Sequence, residues 1–187
     1  MVPDSELNLL RRVAAKDRKA FEALYQLYYR RLFGYLFKLM RRVELVEEVL
    51  NDVMLAVWNG AGSFDGRSRP STWMFGIAYH KALKALSRHA VGEADREEAE
   101  TAEPVEREEP ESLLARRELA SLLGRALRVL PFEQRAVVEL TYYYGLPYQE
   151  IAEILSCPVN TVKTRMFHAR RRLREILPEM GISGHAG

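Results

Sequence analysis

Apolar residues at Phe21, Leu24, Tyr25, Tyr28, Leu32, Tyr35, Leu36 and Leu39 recur at steps of three and four with polar residues between them. This spacing predicts one buried face of a long helix. A second helix follows from Val46, Val49, Leu50, Val53 and Val57. The stretch from Asn59 to Pro70, rich in Gly and short polar residues, predicts a loop. Ser71 or Thr72 is then expected to cap a helix from Trp73 to about Arg88. No alternating apolar and polar run of useful length interrupts this half, so a bundle of three or four helices is expected.

The second half repeats the helical period. Leu119, Leu122, Leu123, Ala126, Leu127 and Leu130 line one expected helix, and Pro131 opens another that ends near Gly145. Tyr148 to Ser156 predicts a third, short helix, and Cys157 with Pro158 a tight turn. A last helix is expected from Thr161 to about Leu177. A short helix, a turn and a longer helix make a helix-turn-helix, so the fold class is all-α, in two small helical domains.

Charge divides the chain further. The net charge of +2 hides blocks of +6 over residues 1–89, −8 over 90–111 and +4 over 112–187. The acidic tract AVGEADREEAETAEPVEREEPE has no aromatic residue and two Pro, and buries too little to fold by itself. The expected organisation is a first domain over 1–89, an acidic flexible linker over 90–111, a second domain over 112–178 and a flexible tail over 179–187. One Cys in 187 residues excludes an internal disulfide framework and every Cys-based zinc cluster. No basic start followed by an apolar run marks a leader, and no run approaches the roughly 20 apolar residues of a membrane span. A soluble, cytoplasmic protein without membrane insertion is expected.

Three constellations carry candidate chemistry. On the last helix, Thr161, Thr164, Arg165, His168, Arg171 and Arg172 share the face opposite Val162, Met166, Ala169, Leu173 and Ile176. Hydroxyls and guanidiniums in that pattern suit phosphate oxygens and guanine acceptors in a major groove, although a basic face can also be merely solvated. Glu47, Glu48 and Asp52 form an acidic patch that fits a docking or solvated face better than a metal-dependent hydrolase, because no further ligand accompanies them. Lys81, Lys84 and Arg88 make a basic stripe near Trp73, Phe75 and Tyr79, the pairing of cations and rings that suits unpaired bases. A bundle this small needs large residues inside, so at least one of Trp73 and Phe75 is expected in the core.

The runs LVEEVLNDVMLAVW, SFDGRSRPSTWMFGIAYHKALK and LPFEQRAVVELTYYYGLPYQEIAEILSCPVNTVKTRMFHARRRLREIL together resemble bacterial sigma factors of the extracytoplasmic-function (ECF) group. The resemblance covers about residues 15–89 and 112–178. It implies a dissociable RNA polymerase subunit that directs promoter recognition and DNA opening, for a stress or envelope regulon, with no enzymatic activity, cofactor or metal. A helix-turn-helix regulator acting without polymerase is the alternative within the binding class.

By motif, the resemblance implies core docking through Glu48, Asn51 and Asp52. It implies minus-ten contacts through Phe64, Arg67, Ser71, Trp73, His80, Lys81, Lys84 and Arg88, around a loop that takes in a flipped base. The minus-thirty-five element falls to Thr161, Lys163, Thr164, Arg165, His168, Arg171 and Arg172. The implied partners are core polymerase, promoter DNA as duplex and unpaired strand, and an anti-sigma factor. Where the family often has Asn and Asp, this chain has His80 and Lys84, which bears on minus-ten base preference. Asn51 and Asp52 replace a common Gln and Glu, and Asn160 and Thr164 a common Gly and Ser, Asn160 being compatible with a helix N-cap.

Overall fold

The computed structural model describes residues 5–92 and 111–180. Among these the chain forms α1 (Glu6–Ala14), α2 (Arg18–Met40), α3 (Val43–Gly60), α4 (Pro70–Gly92), α5 (Glu111–Arg128), α6 (Phe132–Tyr142), α7 (Tyr148–Ile154) and α8 (Val159–Glu179). They fall into two compact units: α1 to α4 with residues 152–157, and α5, α6, residues 148–151 and α8. Among the described residues there is no strand, and no helix is long and apolar enough to cross a membrane.

In the first unit α2 packs against α1, α3 and α4, and α3 against α4. The apolar stripe of α2 is the reason, since Leu24, Tyr28, Leu32, Tyr35, Leu36 and Leu39 are all buried. Asp17 starts this helix, accepting from the backbone amides of Lys19 at 2.9 Å and Ala20 at 3.2 Å. Its carboxylate also meets Arg12 at 2.8 Å, and hydrogen bonding from that side chain holds it below the usual carboxylate range. The helix ends at Arg41, in the left-handed region at φ 59°, with its guanidinium 5.7 Å from the Phe37 ring.

Several boundaries differ from the expectation. Helix α1, nine residues capped by Ser5 and burying Leu9, Leu10 and Val13, precedes the first helix that the apolar period predicts. Helix α3 runs on to Gly60 and into a 3-10 turn over Ala61–Ser63, so the loop is shorter than Asn59 to Pro70. Ser71 and Thr72 do not cap α4: Pro70 opens it, because a first-turn position needs no amide donor. Thr72 is buried instead.

In the second unit α8 packs against α5 and α6. Ala126, Leu130, Ala136, Val137, Leu140, Val162, Met166 and Ala169 are buried. Of the residues expected to line α5, Leu119 and Leu123 are 46% and 40% exposed, and Leu130 lies beyond its end. Leu173 and Ile176, expected on the inward stripe of α8, are only half-buried. Helix α8 starts at Val159 after Pro158, so Asn160 sits inside the first turn and is not the cap.

The expected linker is entered by α4 as far as Gly92 and by α5 from Glu111, and its remaining residues 93–110 lie outside the described residues. The expected tail loses Glu179 to α8, and residues 181–187 likewise lie outside the description.

Candidate nucleic-acid interface

Helix α3 turns Leu45, Val46, Val49, Leu50, Val53 and Val57 inward, which leaves Glu44, Glu47, Glu48, Asn51 and Leu55 exposed on the other side. Asp52 sits at the edge of that face, half-buried, with Oδ2 3.7 Å from Lys81 Nζ on α4. The acidic patch is not isolated. Asn51 and Leu55 pass directly into a groove lined also by Arg18, Phe21, Tyr25, Met54 and Trp58. Trp58 meets Phe21 edge-on at 5.1 Å, and Lys16 donates to the Trp58 carbonyl at 2.8 Å, which ties the α1–α2 turn to the end of α3. From Tyr25 the aromatic stripe continues through Tyr29, Phe33 and Phe37, all half-exposed, at centroid steps of 5.5, 5.9 and 6.2 Å.

The sequence reading found the acidic part of this surface and missed the apolar part. Leu55, one turn beyond Asn51, is 58% exposed, and its place four residues after Asn51 was the only sign of this in the sequence. Among the described residues no group of three or more His, Cys, Asp or Glu side chains could hold a metal ion.

The loop between α3 and α4 is turned by Gly66 at φ +74°, a conformation that a side chain would strain. Asp65 accepts from the Arg67 backbone amide at 3.0 Å and pairs with the Arg67 side chain. These bonds hold the Asp65 carboxyl below its usual range. Arg67 itself stays almost fully exposed. Phe64 and Trp73 stack obliquely at 5.4 Å across the base of the loop, both half-exposed. Phe75 is the core residue of the pair in question, 2% exposed and 5.1 Å from Tyr35. Trp73 stays half-exposed beside the loop, with its ring edge next to Gly60. On α4, His80, Lys84 and Arg88 are exposed and Lys81 and Ser71 half-buried.

On α8, Lys163, Thr164, Arg171 and Arg172 are exposed, and Thr161, Arg165 and His168 are half-buried. The Thr164 hydroxyl donates back to the Asn160 carbonyl at 2.9 Å, which leaves its lone pairs to accept. Phe167, 63% exposed and edge-on to His168 at 5.4 Å, is an apolar group at the border of this face that the sequence reading assigned to neither stripe. Arg170 is turned aside from the face, donating to the Tyr142 hydroxyl on α6 from Nε at 3.1 Å and Nη2 at 2.7 Å.

Comparison with known proteins places these surfaces in a family context. A family model described as Sigma-70 region 2 matches residues 24–91, and one described as Sigma-70, region 4 matches residues 120–173. The chain is 32% identical over 175 residues to the ECF RNA polymerase sigma factor SigK of a Mycobacterium species, covering 90% of this chain and 89% of that one. It is 31% identical over 173 residues to the ECF RNA polymerase sigma-E factor of Escherichia coli K12, covering 88% and 90%. Among solved structures, CnrH in complex with the cytosolic domain of CnrY shares the fold with a TM-score of 0.69 at 23% identity, over 94% of this chain and 99% of that one.

Proposed function

The chain belongs to the ECF group of RNA polymerase sigma factors, and from that premise we propose how its surfaces divide the work of promoter recognition. It is a non-enzymatic, dissociable polymerase subunit whose partners are core polymerase, promoter DNA and an anti-sigma factor. It works in the cytoplasm beside the polymerase, and its regulon answers a stress or envelope signal.

In this reading Glu48, Asn51 and Asp52 dock the core enzyme, and the groove at Leu55, Tyr25 and Trp58 adds the apolar contact that an acidic patch alone lacks. Charge steers the encounter, while burial of the groove holds the complex. The loop with Phe64 and Arg67, together with Ser71, Trp73, His80, Lys81, Lys84 and Arg88, receives the unpaired minus-ten strand. Rings stack on bases and cations meet phosphates, which offsets the few kcal/mol that unpairing a base costs. Thr161, Lys163, Thr164, Arg165, His168, Arg171 and Arg172 read the minus-thirty-five duplex, with Phe167 beside them as an apolar contact for a thymine methyl. Residues 1–89 and 112–178 act as two recognition domains, and 90–111 as the tether that spans the promoter.

The observation that carries the reading is that the acidic, apolar face of α3 and the hydroxyl and guanidinium face of α8 are both exposed, on helices of different units. Run-off transcription with purified core polymerase tests it. Promoter-specific transcripts should arise only when the chain is added, and operator binding without core, with no transcript, would replace it by the helix-turn-helix regulator.

A further inference from the structure

The Lys81–Asp52 pair joins two surfaces that the preceding assignment gives to different partners, one on the docking helix α3 and one on the strand-facing helix α4. Lys81 Nζ and Asp52 Oδ2 are 3.7 Å apart, with the side chains 39% and 46% exposed. At that distance and exposure the attraction is weak and open to replacement by an incoming charge. A basic side chain of the polymerase reaching Asp52 and a phosphate reaching Lys81 would each compete with the internal partner.

We propose that this ion pair is exchanged during initiation, so that core polymerase and the minus-ten strand are coupled through it. When a cation of the core takes Asp52, Lys81 is released toward a strand phosphate. When a phosphate takes Lys81, Asp52 is released toward the core. Asp52 is thereby a positioning residue for the strand as well as a docking residue, and the coupling is reciprocal by linkage. The inference rests on the docking assignment of Asp52 and the strand assignment of Lys81.

The test is the affinity of the full chain for purified core polymerase, without DNA. Lys81→Met leaves Asp52 without its competitor and should tighten core binding about 2- to 5-fold, the range of an exposed ion pair. Placed on an Asp52→Asn background the same change should do nothing. Lys81→Arg keeps a cation within reach and should bind as the wild type does, a control that separates loss of the pair from damage to the fold. If Asp52→Asn weakens core binding while Lys81→Met does not tighten it, the exchange is wrong and the docking assignment stands. Tightening by Lys81→Met on both backgrounds would also overturn it, because Lys81 would then act on the core without Asp52. Should Asp52→Asn leave core affinity unchanged, the docking assignment itself fails.

Discussion

Arg135 Nη2 donates to the Leu130 carbonyl oxygen at 3.0 Å and to that of Arg128 at 2.9 Å, and Nε donates to that of Leu127 at 3.0 Å. One guanidinium on α6 thus donates to the carbonyls of Leu127 and Arg128 in the last turn of α5 and to that of Leu130 just beyond it, where a helix leaves its carbonyls without helical amide partners. It also fixes the angle of the turn through Pro131, so α5 and α6 are held together by a side chain and not by capping alone.

Arg135→Ala should therefore destabilise the second unit by about 1.5–3 kcal/mol, the range for hydrogen bonds to a charged group. Thermal unfolding followed by circular dichroism checks this, and the loss should be confined to the transition that carries α5 and α6.

Tyr28 is fully buried on α2, its hydroxyl without a hydrogen-bond partner although Glu6 and Ser71 are among its polar surroundings. Burial pushes its phenol above the ordinary value near 10. With a raised folded value the native state holds the proton longer than the unfolded state, so this stabilisation is present below about pH 10 and is lost as pH climbs beyond it. Tyr28→Phe should be neutral or stabilising by up to about 1 kcal/mol at pH 7, since it removes an unmatched hydroxyl. It should also flatten the fall in stability above about pH 10 measured by denaturant melts.

Arg165→Ala and Arg171→Ala should each cost about 1–3 kcal/mol at a promoter whose minus-thirty-five guanine they contact, and relax base choice at one position. Selection of bound promoters from a randomised element reads this directly. Unaltered selection in both variants would take the outer face of α8 out of promoter reading.

Leu55→Glu should lower core affinity roughly 10-fold or more while leaving the melting temperature within a few degrees, because the side chain is 58% exposed and supports no core. Asp52→Lys should weaken assembly in the same assay. Wild-type affinity in both variants would reduce the α3 face to a solvated surface.

Promoter elements about 17 base pairs apart lie roughly 58 Å apart at about 3.4 Å per pair, so a segment that joins two recognition domains must be long enough to span them. Shuffling residues 93–110, between the end of α4 and the start of α5, at constant charge should leave initiation intact, and removing about ten of them should abolish it without loss of either domain's fold. A shortened yet active chain in run-off transcription would show that length is not limiting.

The sequence alone determined the all-α class, the order of short helix, turn and long helix over α7 and α8, the burial of Val162, Met166 and Ala169 on α8 and the charge blocks, because a 3.6-residue period and local turn chemistry are written in consecutive residues. Periodicity gives the direction in which a side chain leaves its own helix, and says nothing of which other helix, if any, covers that direction. Packing therefore decided that Phe75 goes inside against Tyr35 while Trp73 stays beside Phe64 at the loop. It decided that Leu119, Leu123 and Leu55 remain exposed despite their apolar character. It also brought Lys81 to Asp52 and Arg135 to the end of α5, pairings between helices that no spacing within one helix encodes. The acid and the cation of the first pair were legible as two candidate sites, and only the approach of α4 to α3 made them one.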